Sequence, residues 1–171
     1  MKLPICTFDA KSGKLSPKCE AKLKSGQLTQ ADVNISIKIM KITPQRSELD
    51  EVSIVRAFEV DGSIVLVLAA GDLAPFRSDY ALFKKLEHAL EQKPCLVQAA
   101  GSGRKVLEDV FFPVRIVNVN QVWSPDGSKM TRIVISGKKT ERFPVDTEKA
   151  QKVLKAVKGI ELLVGFERQW S

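Results

Sequence analysis

The side chains able to support catalysis or to bind a metal are few in this chain of 171 residues. The cysteines are Cys6, Cys19 and Cys95, and His88 is the single histidine. An odd number of cysteines argues against a disulfide framework, and one histidine excludes metal sites that use two. Glycine-rich phosphate-binding runs and the Gly-x-Ser-x-Gly nucleophile elbow are absent from the sequence. The sequence therefore predicts a protein that is not an enzyme, uses no cofactor and takes no small-molecule substrate.

The second chemical feature is an excess of positive charge. The chain has 27 lysines and arginines against 20 acidic residues, which gives a formal net charge of +7. Such an excess favours binding to a polyanion, above all to the phosphates of a nucleic acid. The alternative interpretation is a set of solvated helix faces with salt bridges, as the spacing of Glu148 and Lys152 illustrates.

The chain that positions these charges is built from a repeated unit. Each copy begins with two β-rich runs joined at Asp-Gly-Ser, which is the strongest short signal for a β-hairpin. A loop, an amphipathic helix and a short apolar strand follow each hairpin. The first of these helices has a single apolar stripe, and Asp146 and Gly159 are the predicted cap and stop of the second. The repeated parts are hairpins at 53–71 and 115–137, helices at 78–92 and 147–158, and strands at 95–99 and 160–166. This pattern predicts an α+β fold with two three-stranded sheets, each covered by helices on one face.

The repeat divides the chain into an N-terminal segment, 1–50, a first unit, 51–112, and a second unit, 113–171. A short helix at 103–112, ended by a proline, is either the last helix of the first unit or a hinge between the units. Residues 33–42 fit an alternating strand or a helix with two apolar rows. Thr29 followed by Asp32 resembles a capping box and favours the helix. The rows are Val33, Ile37 and Met40 on one side and Ile35, Ile39 and Ile42 on the other.

Short runs along nearly the whole chain carry a family resemblance. They are Leu3-Pro4-Ile5-Cys6, 19–23 and 26–33 before the repeat, 71–72 and 84–87 in the first copy, and 122–127 and 159–167 in the second. With the repeat, they resemble a tandem pair of type II KH domains. More closely, the chain is similar to the archaeal NusA-like transcription elongation factors, which carry an N-terminal cysteine-rich knuckle. The resemblance implies RNA binding in transcription elongation or termination.

The KH signature itself is changed in both copies. A KH domain holds RNA with a Gly-x-x-Gly loop, whose bare backbone lets phosphates approach a helix N-terminus. The matching stretches here, 77–80 and 138–144, contain no glycine. Binding is therefore expected through a basic surface that faces single-stranded RNA, with Trp123 or Trp170 able to stack on a base. The candidate RNA-binding residues are Arg77, Ser78, Lys84, Lys85, Arg104, Lys105, Lys138, Lys139, Arg142 and Lys149.

The cysteine-rich knuckle is changed as well. Relatives carry two Cys-x-x-Cys pairs, a spacing suited to tetrahedral zinc, whereas the four positions here are Cys6, Asp9, Ser16 and Cys19. Serine is a poor zinc ligand, so no metal is assigned from the sequence. Three interpretations stay open: a knuckle held by packing of Ile5, Phe8 and Leu15, a Cys/Asp/Cys metal site with water in the fourth position, or a redox pair of cysteines.

The partner that the sequence favours is single-stranded RNA, and RNA polymerase or the ribosome is the alternative. In that alternative the two units form an adaptor that docks on protein and binds little RNA. The longest apolar run, 64–70, is far shorter than the roughly 20 residues of a membrane helix. Because no apolar secretory segment is visible either, the expected location is the cytoplasm.

Overall fold

The computed structural model describes residues 1–42, 52–137 and 144–167, and it forms two compact units. The first unit spans Met1–Ala100 and the second spans Gly101–Ser171. The first contains α1 (Thr7–Ser12), α2 (Pro17–Lys24), α3 (Gln30–Ile42), β1 (Ile54–Val60), β2 (Ser63–Leu68), α4 (Ala74–Ser78), α5 (Tyr80–Leu90) and β3 (Cys95–Gln98). The second contains α6 (Gly103–Phe111), β4 (Ile116–Trp123), β5 (Lys129–Ile135), α7 (Thr147–Lys158) and β6 (Leu162–Phe166). The fold is therefore α+β in both units, as predicted.

The sheet of the first unit has the order β1-β2-β3. Strands β1 and β2 form the predicted hairpin, and β3 pairs in parallel with β2. Asp61 and Gly62 form the turn with φ angles of 51° and 71°, so both central residues adopt the positive φ that a tight hairpin requires. The even-numbered side chains of β2, from Ile64 to Leu68, point into a core that also contains the buried residues of α5. The helices of this unit thus cover one face of the sheet.

Helix α3 confirms the helical interpretation of residues 33–42 and explains why its sequence has two apolar rows. Val33 and Met40 of the first row pack with Cys19 in a small N-terminal core. Ile35 and Ile39 of the second row pack into the core beneath the sheet. One helix therefore joins the N-terminal segment to the sheet, and the first unit includes both.

Two further features of the first unit differ from the prediction. Residues 74–78 form the short helix α4 where a loop was expected, and Phe76 anchors it in the core with 4% exposure. Helix α5 begins at Tyr80, two residues later than predicted, because Asp79 caps it. Its stripe of Leu82, Leu86 and Leu90 is buried, as the periodicity predicts.

The second unit repeats the mixed sheet, with the order β4-β5-β6 and a parallel third strand. Helix α7 has the predicted Asp146 cap and ends at Gly159, whose φ of 65° suits glycine. Helix α6 packs against α7 and β4 and therefore lies in the second unit. The boundary between the units accordingly falls between Ala100 and Gly101, not after residue 112. In the part of the chain that the structure describes, no helix is long and apolar enough to cross a bilayer.

Candidate functional site

The corner between α4 and α5 is where the sequence places the lost glycine loop of the first unit. Asp79 is the single residue between the two helices. Its Oδ1 atom accepts hydrogen bonds from the backbone N–H groups of Ala81, at 2.8 Å, and Leu82, at 3.2 Å. These are among the N–H groups that a phosphate would use at a helix N-terminus. A carboxylate of the protein itself therefore occupies the anion-binding position of this helix.

The second unit has the same arrangement at the start of α7. Asp146 Oδ1 accepts hydrogen bonds from the N–H groups of Glu148, at 3.0 Å, and Lys149, at 3.2 Å. The Lys149 side chain is exposed in this first turn. Because both helix N-termini are capped internally, any anion that binds here must use side chains instead of backbone amides.

Four of the predicted RNA-binding residues lie on α4 and α5, and they differ in how they are held. Arg77 and Lys85 are exposed. Lys84 forms an ion pair with Glu87, at 2.8 Å, and this interaction raises the pKa of the lysine. Ser78 donates its hydroxyl to the carbonyl groups of Ala74 and Pro75 in its own helix. The hydroxyl proton of Ser78 is therefore used within α4, and contact of this residue with RNA stays a prediction.

Three predicted residues lie in the second unit and three lie outside the described residues. Arg104 and Lys105 are exposed on α6, in the second unit, although the sequence analysis assigned them to the first copy. Arg104 forms an ion pair at 3.2 Å with Glu108, which lies one helical turn away. The side chain of the neighbouring residue, Lys105, is exposed. Lys149 lies on α7, which packs against α6. Lys138, Lys139 and Arg142 fall outside the ranges that the structure describes.

Two exposed aromatic side chains accompany these cations. Tyr80, the first residue of α5, is 69% exposed, and the Lys84 ammonium lies 5.5 Å from the centre of its ring. Trp123, at the end of β4, is 71% exposed and pairs across the hairpin with Lys129. Tyr80 was not predicted as a stacking residue, although its place directly after a capping aspartate was a usable signal. Trp170 lies outside the described residues.

A second cluster of chemical groups lies in the N-terminal segment. One atom from each of Cys6, Asp9 and Cys19 forms a group in which all three lie within 4.8 Å of one another. Cys6 caps the start of α1, and its Sγ accepts the Asp9 N–H at 3.4 Å. Cys19 lies in the first turn of α2 and is buried. The two short helices thus bring Cys19 next to Cys6 and Asp9, which lie 13 and 10 positions earlier in the chain.

Asp9 lies at the centre of this cluster and is fully buried. The N–H and hydroxyl groups of Ser16 donate to its Oδ2 at 3.0 and 2.8 Å, while Oδ1 has no hydrogen-bond partner among the residues that the structure describes. The thiols of Cys19 and Cys6, followed by Ser16, favour the ionised carboxylate and hold the pKa of Asp9 well below its usual value. The same interaction with Asp9 raises the pKa of the Cys6 thiol. The thiols are thus near the carboxylate, but neither meets Oδ1 in hydrogen-bond geometry.

The donors in this cluster fit a zinc-type ion better than the sequence alone suggests. Two sulfur atoms and one carboxylate oxygen already lie close together, and within the described ranges no group donates a hydrogen bond to the buried Oδ1. Ser16 occupies the fourth position of the family pattern but directs its donors at Asp9, so it holds a ligand instead of acting as one. The expected packing of the knuckle is wrong for Phe8, which is 75% exposed, whereas Ile5 is buried.

Comparisons with known proteins add little to this geometry. No protein-family model matches the chain, and a search of curated proteins found no match. A solved structure titled "Crystal structure of APE1850" is similar to it at 18% sequence identity and a TM-score of 0.49. The similarity covers 78% of this chain and 94% of that one.

Proposed function

We propose that this protein is an RNA-binding factor of the transcription machinery, built from two type II KH-like units that bind single-stranded RNA. The observation that carries the proposal is the shared order and pairing of elements in the two units. In each, a helix precedes an antiparallel hairpin, and a further helix leads into a third strand that is parallel to the second strand. The hairpin, helix and third strand are the unit that the sequence repeat predicts, and this unit is present twice in a chain with a net charge of +7.

The proposed binding mode uses side chains in place of a glycine loop. Asp79 and Asp146 occupy the N-termini of α5 and α7, so phosphates have to be neutralised by exposed cations nearby. Lys85 in the first unit, with Lys105 and Lys149 in the second, supplies such charges. Tyr80 offers an exposed ring on which a base can stack, next to the Lys84 ammonium.

This mode predicts weak sequence preference and strong dependence on salt. If about four phosphates are neutralised, the slope of log K against log salt is about −3 for a single strand. Affinity then falls by roughly fiftyfold between about 50 and 200 mM KCl. Phosphate contacts carry no sequence information, so RNA strands of different sequence should bind with similar affinity.

The test is the fluorescence anisotropy of a labelled single-stranded RNA of mixed sequence, titrated with the full chain. The Lys85→Glu/Lys149→Glu variant should bind about tenfold or more weakly and show a shallower salt slope. Lys14→Glu is the matched control, because Lys14 is an exposed cation between α1 and α2. Absence of binding at about 50 mM KCl, or an equal loss in the control, overturns the proposal.

The second candidate function is an adaptor that docks on RNA polymerase or the ribosome. The observation that favours it is the exposure of large apolar side chains in the second unit, with Trp123 at 71%, Leu163 at 46% and Val117 at 44%. In this case Trp123→Ala weakens binding to purified polymerase or ribosomes, whereas Lys85→Glu/Lys149→Glu leaves it unchanged. The opposite pattern rejects the adaptor.

A further inference from the structure

The unpartnered carboxylate oxygen of Asp9 is the observation that calls for an explanation. Asp9 is fully buried, and its Oδ1 makes no hydrogen bond among the described residues. Leaving a buried, charged acceptor without a partner is costly, so native proteins seldom do it unless an ion or an ordered water completes the site. Ser16 already satisfies Oδ2, which leaves Oδ1 as the oxygen available to a cation.

The distances around Asp9 suit a tetrahedral metal ion. In a zinc site with Zn–S bonds of about 2.3 Å and Zn–O bonds of about 2.0 Å, neighbouring ligand atoms are roughly 3.5–3.8 Å apart. The ligand atoms of Cys6, Asp9 and Cys19 already lie within 4.8 Å of one another. A contraction of about 1.3 Å at most between any two of these atoms is therefore enough to form three bonds to one ion.

We infer that Cys6, Asp9 and Cys19 bind one divalent ion of the zinc type, with the fourth position open to solvent. Cys6 is exposed, so the ion can enter from its side, and water can fill the open position. The inference does not rest on the proposed RNA binding. Its effect is to tie the start of α1 to α2 above the small core that contains Ile5 and Cys19.

The chemistry of the three ligands selects the ion. Two sulfur ligands and one oxygen ligand favour zinc or cobalt over magnesium or calcium, which prefer sites made only of oxygen. Each thiol gives up its proton to solvent as its Sγ–metal bond forms, and the loaded site carries three negative charges against two positive ones. The backbone N–H of Asp9 donates to the Cys6 Sγ at 3.4 Å, so this sulfur is held beside Asp9 at the start of α1.

Ser16 has a distinct role as a positioning residue. It fixes Oδ2 with two hydrogen bonds and so orients the carboxylate, which is how outer-shell groups commonly support metal ligands. Loss of the hydroxyl in Ser16→Ala should lower metal affinity by about tenfold to a hundredfold without abolishing it. If Ser16 were itself a ligand, Ser16→Ala would instead change the coordination that cobalt spectroscopy reports.

The experiment is a titration of the reduced, metal-free full chain with Co²⁺, followed by absorption spectroscopy. The expected result is one Co²⁺ per chain, with sulfur-to-cobalt charge-transfer bands and visible bands typical of tetrahedral coordination, and competition by Zn²⁺. Cys6→Ser and Asp9→Asn should each weaken binding by about tenfold or more. Cys95→Ser is the matched control, because Cys95 lies in β3 outside the cluster, and it should bind as the unchanged chain does.

Cys6 is the cysteine to replace because it is exposed, and far-UV circular dichroism checks that the variant folds. A cobalt spectrum without charge-transfer bands overturns the inference, and so does full affinity in Cys6→Ser. Formation of a Cys6–Cys19 disulfide in air with no metal uptake by the reduced chain also overturns it, in favour of a redox pair.

Discussion

Replacing Asp32 by alanine should remove a large part of the stability of the first unit. Asp32 is fully buried at the start of α3. Its Oδ1 accepts the N–H of Ala57 in β1 at 2.6 Å, and its Oδ2 accepts the N–H of Thr29 at 2.8 Å. Arg56 also reaches Oδ2, at 3.3 Å. The Asp32 carboxylate thus takes part in the cap of α3 and accepts a backbone hydrogen bond from the edge strand β1.

The magnitude follows from the groups that lose a partner. The N–H of Ala57, a residue with 0% exposure, would be buried without an acceptor, at a cost of about 1–3 kcal/mol. Loss of the Asp32 half of the capping box, in which its carboxylate accepts the Thr29 N–H, costs about 1 kcal/mol. The Arg56 side chain is 33% exposed, so solvent replaces most of its ion pair and the loss there is at most about 1 kcal/mol. The sum is about 2–5 kcal/mol, a large share of the stability of a domain.

The assay combines urea unfolding, followed by far-UV ellipticity, with amide hydrogen exchange. Exchange localises the effect, because the Ala57 amide should lose protection while amides of the second unit keep theirs. Glu59→Ala is the control, since Glu59 is an exposed acid in the same strand, and it should change stability by less than about 0.5 kcal/mol. The reasoning fails if Asp32→Ala costs less than about 1 kcal/mol, or if Arg56→Met costs as much as Asp32→Ala.

Three further predictions concern single side chains. Asp79→Asn keeps an oxygen that can cap α5 but removes the negative charge, so RNA affinity at low salt should rise by about twofold to threefold at unchanged stability. Unchanged affinity in the anisotropy titration would show that RNA does not approach this corner. Tyr80→Ala should weaken RNA binding by about 1–3 kcal/mol while Tyr80→Phe retains it, and an equal loss in both would exclude stacking. Gly159→Ala should lower the free energy of unfolding of the second unit by about 1 kcal/mol, because alanine disfavours a φ of 65°, and thermal unfolding measures the change.

Periodicity and capping predicted the local structure well. The Asp-Gly turns, the capping aspartate of α7 and the stripe on α5 were all visible in the sequence, because each depends on residues a few positions apart. Helix α4 was missed because five residues with a proline near the start give no measurable period. Phe8 was placed in the wrong environment for a similar reason, since a helix of six residues does not reveal which face is buried.

Contacts between residues far apart in the chain could not be predicted from the sequence. The two apolar rows of α3 were identified, but periodicity shows only that residues share a face and not which core that face meets. The bond between Asp32 and Ala57 joins residues 25 positions apart, and no spacing rule links them. Helix α6 was assigned by its position in the chain, although its packing against α7 and β4 places it in the second unit.

The candidate cations illustrate the same division between local and long-range information. Lysines and arginines could be named from the sequence, and the pairing of Lys84 with Glu87 and of Arg104 with Glu108 follows from helical spacing. Because Lys84 and Arg104 are paired with acids, the proposed phosphate contacts are assigned mainly to Lys85, Lys105 and Lys149. Neighbouring acids reduce the effective charge of the paired residues, so a count of basic residues overstates the surface available to RNA.

The capping aspartates connect the stability of this fold to its proposed function. At the start of α5 and of α7, an aspartate satisfies two N–H groups that a glycine loop would leave for a phosphate. An aspartate cap stabilises the free protein by about 1 kcal/mol, whereas N–H groups that are left open contribute only when a phosphate binds to them. If RNA binds here, it therefore relies on flexible cationic side chains, whose contacts are screened by salt and tolerate many sequences. A protein that binds in this way should have similar affinity for RNA strands of different sequence. A strong preference for one base sequence would contradict that mode of binding.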